Sequence, residues 1–282
     1  MTWEILISSF ALSFIILVPL GIKWEIPKRV TVPASFFIGI LTGLIIMSIE
    51  GIYDIKFWQV LILELFLIMG ISSSLLLWRF FGDPDRIAPE DKNAILTPAD
   101  GKVIYVKRIE KGTIPYSEKK GRKFSLNDFI QSDVLPTEGH LIGISMNFLN
   151  VHVNRSPIEG RVSLIRHIKG GFLSLRRKEA VIQNERALTV IENGNFKVGV
   201  VQIASRLVRR IVSYVKEGDH LILGQKIGMI KFGSQVDILL PDLEDLRINT
   251  KVGERVFAGV TIIATYSPEH RCIKTIQEEG PQ

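Results

Sequence analysis

Three long apolar runs occupy the first part of the 282-residue chain. They cover Ile5–Ile22, Thr31–Ile49 and Trp58–Leu77, and the only charged residue within them is Glu64. Each run approaches the roughly 20 residues that a helix needs to cross the hydrocarbon core of a bilayer. The runs are edged by tryptophans, which favour membrane interfaces: Trp3, Trp24, Trp58 and Trp78. The pattern predicts a membrane anchor of about three transmembrane helices in residues 1–82, with Glu64 contacting another helix or the lipid edge.

Beyond the anchor the pattern changes to short strands. The linker Arg79–Pro89 contains one glycine and two prolines, which end the third helix. Ala94–Leu96, Lys102–Val106 and Leu141–Met146 are short and rich in β-branched residues, as strands are. The only segment that could hold a helix lies around Leu173–Val181.

Two pairs of segments repeat within this second part. Pro98–Val103 resembles Pro157–Val162, since both contain an acid, a glycine, a base and a valine in that order after the proline. Lys216–Gly224 resembles Lys251–Gly259, with two glycines at the same spacing in each. Paired turns of this kind favour a duplicated β-hairpin unit. We therefore expect residues 83–282 to form a mainly β domain, a sandwich or flattened barrel with lipoyl-hammerhead-like repeats and minor α content.

The distribution of lysine and arginine predicts an orientation in the membrane. The first inter-helix loop carries Lys23, Lys28 and Arg29, whereas the second carries only Lys56. More basic residues follow the third run: Arg79, Arg86 and Lys92. Because basic loops stay on the cytoplasmic side, the C-terminal domain is predicted to be cytoplasmic, at the cell (inner) membrane.

Net charge and cysteine content narrow the expected partners. The chain carries a formal net charge of +6, with basic clusters at residues 166–178 and 206–210. On a membrane-tethered domain these clusters indicate attraction to anionic headgroups. Nucleic acid is not an expected partner, because no aromatic-rich binding motif accompanies the charge. The single cysteine, Cys272, leaves no internal disulfide and no cysteine-based metal site, and no metal is expected.

The segment Ile230–Pro241 carries the candidate chemistry. It reads as one strand that enters a Gly233–Ser234 step and a second strand that ends at proline. Taken alone, such a dipeptide indicates a turn or a bulge. It also suits self-cleavage, because the serine Oγ can attack the preceding carbonyl, which glycine leaves unshielded. The resulting ester can eliminate to dehydroalanine, which hydrolyses to a pyruvoyl group, a ketone that captures amines and accepts electrons.

Two other segments could assist that cleavage. Asp100 offers a carboxylate in a tight turn, while His152 and Arg155 lie three residues apart. With Ser234 they could form a Ser-His-Asp relay directed at the protein's own Gly233 carbonyl. Each also has a structural alternative: Asp100 holding its turn, His152 buried in an alternating strand, and Arg155 paired with a structural carboxylate.

The motifs together resemble those of phosphatidylserine decarboxylase proenzymes, in the short class that includes archaetidylserine decarboxylases. The resemblance covers roughly residues 79–266. It is carried by these segments in this order: Phe80–Arg86, Pro98–Val103, Asn150–Pro157, Asn184–Arg186, Gln202–Ala204, Arg209–Val212 and Gly228–Ser234.

The resemblance implies cleavage between Gly233 and Ser234 into a larger β chain, 1–233, and a small α chain, 234–282, with Ser234 becoming a pyruvoyl cofactor. It implies that Asp100 and His152 are catalytic. The long bacterial members carry a second histidine where this chain has Arg155, so Arg155 is a candidate substrate-binding residue. Whether His152 serves cleavage, decarboxylation or both stays open.

The implied function is a membrane-bound decarboxylase that converts a phospholipid serine headgroup to ethanolamine and CO₂. The lipid backbone, diacyl or isoprenyl ether, and the oligomeric state, including a homodimer, are left open. One alternative is a membrane-anchored, non-enzymatic lipoyl-hammerhead adaptor. Another is a zinc peptidase, which the scattered histidines do not favour.

Overall fold

A computed structural model describes residues 2–24, 26–53, 55–91, 93–117, 122–171, 173, 180–194, 196–205, 211–231 and 234–267. The described residues form two compact units. The first comprises the residues up to Gly82 together with Asn147–Leu149, and the second comprises the rest.

Three helices make up the first unit, as the apolar runs predict. They are α1 (Thr2–Lys23), α2 (Lys28–Glu50) and α3 (Phe57–Phe81). All three are long and apolar enough to cross a membrane. Small residues let α1 and α2 pack closely, since a Cβ added at Gly39 would lie only 3.0 Å from the Cα of Phe10.

Glu64 ties α3 to α1. Its Oε1 accepts hydrogen bonds from the hydroxyls of Ser8, at 2.6 Å, and Ser9, at 2.7 Å. Of the two environments expected for this intramembrane carboxyl, the structure shows the contact between helices. Polar groups of this kind usually face the interior of a helical bundle, where they find partners.

The second unit is built almost entirely of strands. Its helices are α4 (Leu126–Ile130) and α5 (Ala180–Gln183). Its strands are β1 (Ala94–Leu96), β2 (Gly101–Ile109), β3 (Thr113–Ser117), β4 (Arg122–Ser125), β5 (Gly139–Met146), β6 (Val153–Arg155), β7 (Gly160–Ile168), β8 (Arg186–Asn193), β9 (Phe196–Ala204), β10 (Ile211–Ser213), β11 (His220–Leu221), β12 (Lys226–Ile230), β13 (Ser234–Pro241), β14 (Arg247–Ile248), β15 (Arg255–Val256) and β16 (Ile262–Thr265).

An eight-stranded antiparallel sheet organises this unit, in the order β11-β7-β8-β9-β13-β5-β2-β15. Two three-stranded sheets, β1-β16-β14 and β10-β12-β6, and the hairpin β3-β4 complete it. The predicted mainly β class is therefore confirmed, and the three strands predicted from β-branched runs correspond to β1, β2 and β5.

The large sheet has an apolar core on each face. Along β13, Val236 and Ile238 join a cluster that includes Ile95 and Ile227 from the small sheets. Leu239, on the opposite face, joins a second cluster with residues of α4 such as Phe129. Because successive residues of a strand point to opposite faces, β13 contributes to both cores and is covered on both sides.

The internal repeats correspond to a real duplication. Gly101 begins β2 and Gly160 begins β7, and a Cβ added at either would lie 2.3 Å from a carbonyl oxygen, of Ser145 or Glu192 respectively. The short strand β15 pairs with the start of β2, and β11 pairs with the start of β7 in the same way. Glycine is therefore required at both repeats, where a neighbouring backbone approaches closely.

The helices of this unit differ from expectation. The pattern around Leu173–Val181 predicts one helix, but α5 covers only Ala180–Gln183, and residues 174–179 lie outside the described residues. Helix α4 is not predicted, because five residues are too few for an apolar period. It is set locally by Ser125, whose Oγ accepts a hydrogen bond from the Asn127 amide at 3.1 Å.

Close packing of α1 against α2 should make Gly39 intolerant of side chains. We expect Gly39→Leu to destabilise the helical unit by about 1–3 kcal/mol through overpacking. Gly70→Leu is the matched control, since a Cβ there meets nothing within 4 Å. Thermal aggregation of the detergent-solubilised protein should occur at a lower temperature for the first variant only. Equal midpoints for both variants would contradict this packing.

Candidate active site

Asp100 lies in the turn between β1 and β2 and is almost fully buried. Its carboxylate accepts two hydrogen bonds from the guanidinium of Arg86, Nη1 to Oδ1 at 2.5 Å and Nη2 to Oδ2 at 2.9 Å. The amide of Ala258 donates to Oδ1 at 2.8 Å, and the amide of Val151 lies 3.4 Å from Oδ2. Four donors therefore hold this carboxylate in one orientation.

Arg86 is the functional residue that sequence reasoning missed. Only 9 % of its side chain is exposed, and Nη1 also donates to the Ala258 carbonyl at 2.7 Å. The only signal was its place at the end of the Phe80–Arg86 motif, which gave it no role. A buried bidentate pair of this kind orients the carboxylate as well as neutralising it.

His152 lies one residue before β6, not inside a strand as the alternation suggests. The ring is fully buried, with Nδ1 2.8 Å from the carbonyl oxygen of Asn150. Burial lowers the pKa of His152 to about 4, although the Asn150 carbonyl and the charge of Asp100 act in the opposite direction. The imidazole is therefore neutral at pH 7 and able to accept a proton.

Ser234 begins β13 at the point where the chain changes sheets. The preceding strand, β12, ends at Ile230 in a small sheet, whereas Ser234 pairs with Met146 of β5 and Ala204 of β9 in the large sheet. Phe232 and Gly233 lie outside the described residues, so cleavage at Gly233 stays a prediction. The predicted pair of strands on either side of the step is confirmed.

Backbone contacts bring His152 to this crossing. The amide of Ile230 donates to the carbonyl of His152 at 3.2 Å. Ser234 follows Ile230 by four residues, a span of at most about 14 Å. Since Val151 lies beside Asp100, the structure brings together the turn of Asp100, the loop of His152 and the end of β12.

Arg155 pairs with a structural carboxylate, which is the alternative to substrate binding that the sequence left open. Its Nη2 lies 2.8 Å from Oδ1 of Asp83, and Nη1 lies 3.2 Å from the Gly224 carbonyl. The amine of Lys226 lies 2.5 Å from the other Asp83 oxygen. Burial opposes ionisation of Asp83, but hydrogen bonds from Lys226 and Arg155 hold its pKa below the ordinary value. Substrate binding by Arg155 stays a prediction, and it would compete with Asp83.

Buried amides connect the remaining motifs to this site. Gln202 donates to the side-chain oxygen of Asn154 at 2.7 Å, and Asn154 in turn donates to the Pro98 carbonyl at 3.3 Å. Asn184 donates to the carbonyl of Ala204, the register partner of Ser234, at 2.8 Å. These motif residues therefore hold the site's backbone in place, as buried polar groups do when they are satisfied.

A second buried network fixes the first residues of β13. The hydroxyl of Tyr105 donates to Asp237 at 2.5 Å, and Gln235 donates to both of them, at 2.6 and 2.7 Å. Tyr105 reaches across β5 because Gly143 lies between them, where a Cβ would come within 2.4 Å of the tyrosine ring. Burial raises the pKa of Asp237 to about 6, although both hydrogen bonds lower it.

Loss of the guanidinium beside Asp100 should be costly. We expect Arg86→Gln to lower the free energy of unfolding by about 3 kcal/mol, because it leaves a buried carboxylate without its counterion. The matched control is Arg108→Gln, which breaks an exposed pair with Asp242 and should change little. Urea unfolding of full-length protein in detergent, with Ser234→Ala added to keep one chain, measures both. Equal midpoints would argue against an essential Arg86–Asp100 pair.

Comparison with known proteins agrees with this geometry. The chain matches the phosphatidylserine decarboxylase family over residues 74–264. It is 46 % identical over 185 residues to an archaetidylserine decarboxylase proenzyme of Methanocaldococcus jannaschii, covering 66 % of this chain and 87 % of that protein. Proteins with the same name from Methanothermobacter thermautotrophicus and Methanococcoides burtonii are 42 % and 40 % identical, over 67 % and 73 % of this chain and 80 % of each relative. The chain belongs to the phosphatidylserine decarboxylase family and is a decarboxylase.

Proposed function

We propose that this enzyme decarboxylates the serine headgroup of phosphatidylserine or archaetidylserine, releasing CO₂ and leaving the ethanolamine phospholipid. We further propose that it acts through a pyruvoyl group made from Ser234 by self-cleavage at Gly233–Ser234. The names of the relatives support the substrate class. Membership of a decarboxylase family sets aside the non-enzymatic adaptor.

The observation that carries the proposal is the change of sheet between Ile230 and Ser234. Both flanking strands are held by backbone pairing, and the first of them is bonded to the loop that carries a neutral histidine and contacts a buried carboxylate. A short connection between two fixed ends can hold a peptide bond in a reactive conformation. The proposal uses each of the residues that the structure brings to this crossing.

Self-cleavage needs a base for the Ser234 hydroxyl. In the proposed step the Ser234 Oγ bonds to the Gly233 carbonyl carbon as His152 takes its proton, while the charge of Asp100 stabilises the imidazolium. His152 then gives the proton to the Ser234 nitrogen as the peptide bond breaks, leaving an ester. Loss of the Ser234 α-proton releases residues 1–233 with a C-terminal carboxylate. Hydrolysis of the dehydroalanine that remains releases ammonia.

The residues around Ser234 fit a pyruvoyl group at that position. Such a group would be the first residue of the α chain, with its strand held between β5 and β9 of the β chain. When present, it supplies a ketone that captures the substrate amine and draws electrons from the carbon that loses CO₂. We further propose that His152, which is neutral at pH 7, relays from water the proton that replaces the carboxylate on the substrate.

Self-cleavage is directly measurable. The 31.8 kDa chain should yield a 49-residue fragment, residues 234–282, with a ketone-bearing N-terminus, whereas Ser234→Ala should stay intact. In Asp100→Asn and His152→Ala the rate of cleavage should fall about 100-fold or more, so that the precursor accumulates. Intact-mass spectrometry of the purified protein measures all four chains. A wild-type chain that stays whole in a folded, membrane-inserted preparation would refute the pyruvoyl mechanism.

The pH dependence of maturation tests whether His152 is the base for self-cleavage. With the pKa of His152 at about 4, the base form predominates above that pH and is lost as pH falls through it. The cleavage rate should therefore hold constant from neutral pH down to about pH 5. A loss of rate centred near the ordinary histidine pKa of about 6.5 that is unchanged in His152→Ala would remove His152 as the base. If His152→Ala matures normally but releases no CO₂, the residue serves decarboxylation alone.

Substrate class gives a further test. The purified enzyme should release CO₂ from phosphatidylserine or archaetidylserine in micelles and be inactivated by hydroxylamine, which consumes the ketone. Free serine should be a poor substrate, because it has neither the phosphate nor the tails whose binding energy orients the headgroup. Chelators should have no effect. Turnover that survives hydroxylamine and is lost with a chelator would refute the mechanism.

We also propose that the catalytic unit faces the cytoplasm, at the cell membrane. The support is the excess of basic residues in the first inter-helix loop over the second. A reporter fused after Gln282 should be active in its cytoplasmic form, and one inserted near Tyr53 in its exported form. The opposite pattern would overturn this orientation without affecting the chemistry.

A further inference from the structure

We propose that a cavity within the helical unit binds one hydrocarbon tail of the anionic serine phospholipid on which the enzyme acts. This inference rests on the proposed function for the identity of the lipid. The cavity has a volume of about 260 Å³ and is walled by all three helices and by Leu149. A tail site here would select the substrate by its apolar part, before any chemistry at its headgroup.

The wall of the cavity accepts only an apolar occupant. It is formed by aliphatic residues such as Leu17, Leu20 and Ile38, with few hydroxyls. Two of those hydroxyls are already bonded within their own helices: Thr31 to the Pro27 carbonyl at 3.3 Å, and Ser72 to the Ile68 carbonyl at 2.5 Å. Because a cavity whose wall is almost wholly apolar does not retain water, a hydrocarbon chain is the occupant that its chemistry fits.

The size of the cavity admits a single tail. Leu17 and Ile38, which are both buried, line one end of it, and Trp24, just beyond the end of α1, lines it seven residues after Leu17. At 1.5 Å per residue this gives a depth of roughly 10 Å. The volume lies just below the roughly 300–1,000 Å³ of sites for drug-sized ligands. The cavity can therefore take the upper part of one tail, and the second tail stays outside it.

Charge at the same end of the helices favours an anionic lipid. Lys23, Lys28 and Arg29 are exposed, and they are adjacent in sequence to residues that line the cavity, such as Val30. The connecting segment contains one acid, Glu25, so its net charge is positive. Basic groups beside an apolar slot attract lipids whose headgroup carries a phosphate and an additional negative charge.

The loop Asn147–Leu149 connects the cavity to the catalytic residues along the chain. This loop belongs to the helical unit, where Phe148 packs against Trp24 with ring centroids 5.1 Å apart and Leu149 lines the cavity. His152 follows Leu149 by three residues, so their Cα atoms can be at most about 11 Å apart. Because the loop that lines the cavity and the loop that carries His152 are one continuous segment, we expect the substrate there rather than a bulk lipid.

Most of this wall is not part of the shared catalytic unit. The family match begins at residue 74, and the greater part of the cavity lining precedes that position. The proposed tail site is thus a property of this chain's own anchor. It gives the helices a role in substrate binding beyond attachment to the membrane.

Adjacent serines on α3 provide a matched pair of variants. Ser73 and Ser74 are both exposed, but only Ser73 lines the cavity. Ser73→Phe should fill the upper part of the slot and raise KM for long-tailed phosphatidylserine in mixed micelles about tenfold, while Ser74→Phe should not. Turnover of dibutyryl phosphatidylserine, whose tails are too short to need the slot, should be the same in both. Normal self-cleavage of each variant reports that it is folded.

A measurement on the unmodified protein complements the variants. Phosphatidylserine with a diazirine near the top of one tail, presented in phosphatidylcholine vesicles, should label peptides that contain Ser73 or Leu149. Excess unlabelled phosphatidylserine should compete, and phosphatidylcholine should not. Competition by diphytanyl archaetidylserine, measured in parallel, distinguishes an isoprenyl from an acyl tail, since both present the same hydrocarbon chemistry.

The outcomes separate this inference from the proposed function. Equal KM values for Ser73→Phe and Ser74→Phe, or labelling that phosphatidylcholine abolishes equally well, would overturn the tail site while leaving the decarboxylation intact. A wild-type enzyme that turns over no serine lipid would instead refute the proposed function. Selective labelling of Ser73 and Leu149 peptides would then still show an anionic-lipid tail in the cavity.

Discussion

The architecture depends on one constraint: the chain must leave a three-stranded sheet after Ile230 and join the centre of an eight-stranded sheet at Ser234. Backbone ladders hold both ends, through Ile211 on one side and through Met146 and Ala204 on the other. Strand β13 is covered by an apolar core on each face, so it cannot slide or fray without exposing one of them.

The duplicated halves of the domain show how a symmetric fold produces a single site. Both repeats place a glycine at the start of a strand against a neighbouring carbonyl, and both place an acid just before it, Asp100 or Glu159. Asp100 is buried and bound by Arg86, whereas Glu159 is exposed. Burial of a carboxylate needs such compensation, and only the first repeat provides it, through Arg86.

The segment that follows the last helix of the anchor is itself held by ion pairs. Asp83 binds Arg155 and Lys226, and Arg86 binds Asp100. These three pairs join one segment to both repeats, because Asp100 belongs to the first repeat and Arg155 lies two residues before the second. The motif that contains Asp83 and Arg86 therefore holds both repeats and contacts Asp100, the proposed catalytic carboxylate. Its partially buried pairs are screened less by salt than surface pairs would be.

The sequence alone determined the features that depend on local pattern. Apolar length predicted the three helices, β-branched runs predicted β1, β2 and β5, and repeated glycine turns predicted the duplication. Motif order predicted the family. These succeed because periodicity and glycine sterics act over a few residues. Tertiary structure alone decided which charged groups meet. The pairing of Arg86 with Asp100, the binding of Arg155 by Asp83 and the low pKa of His152 arise from burial and from contacts between residues far apart in the chain, which no local pattern encodes.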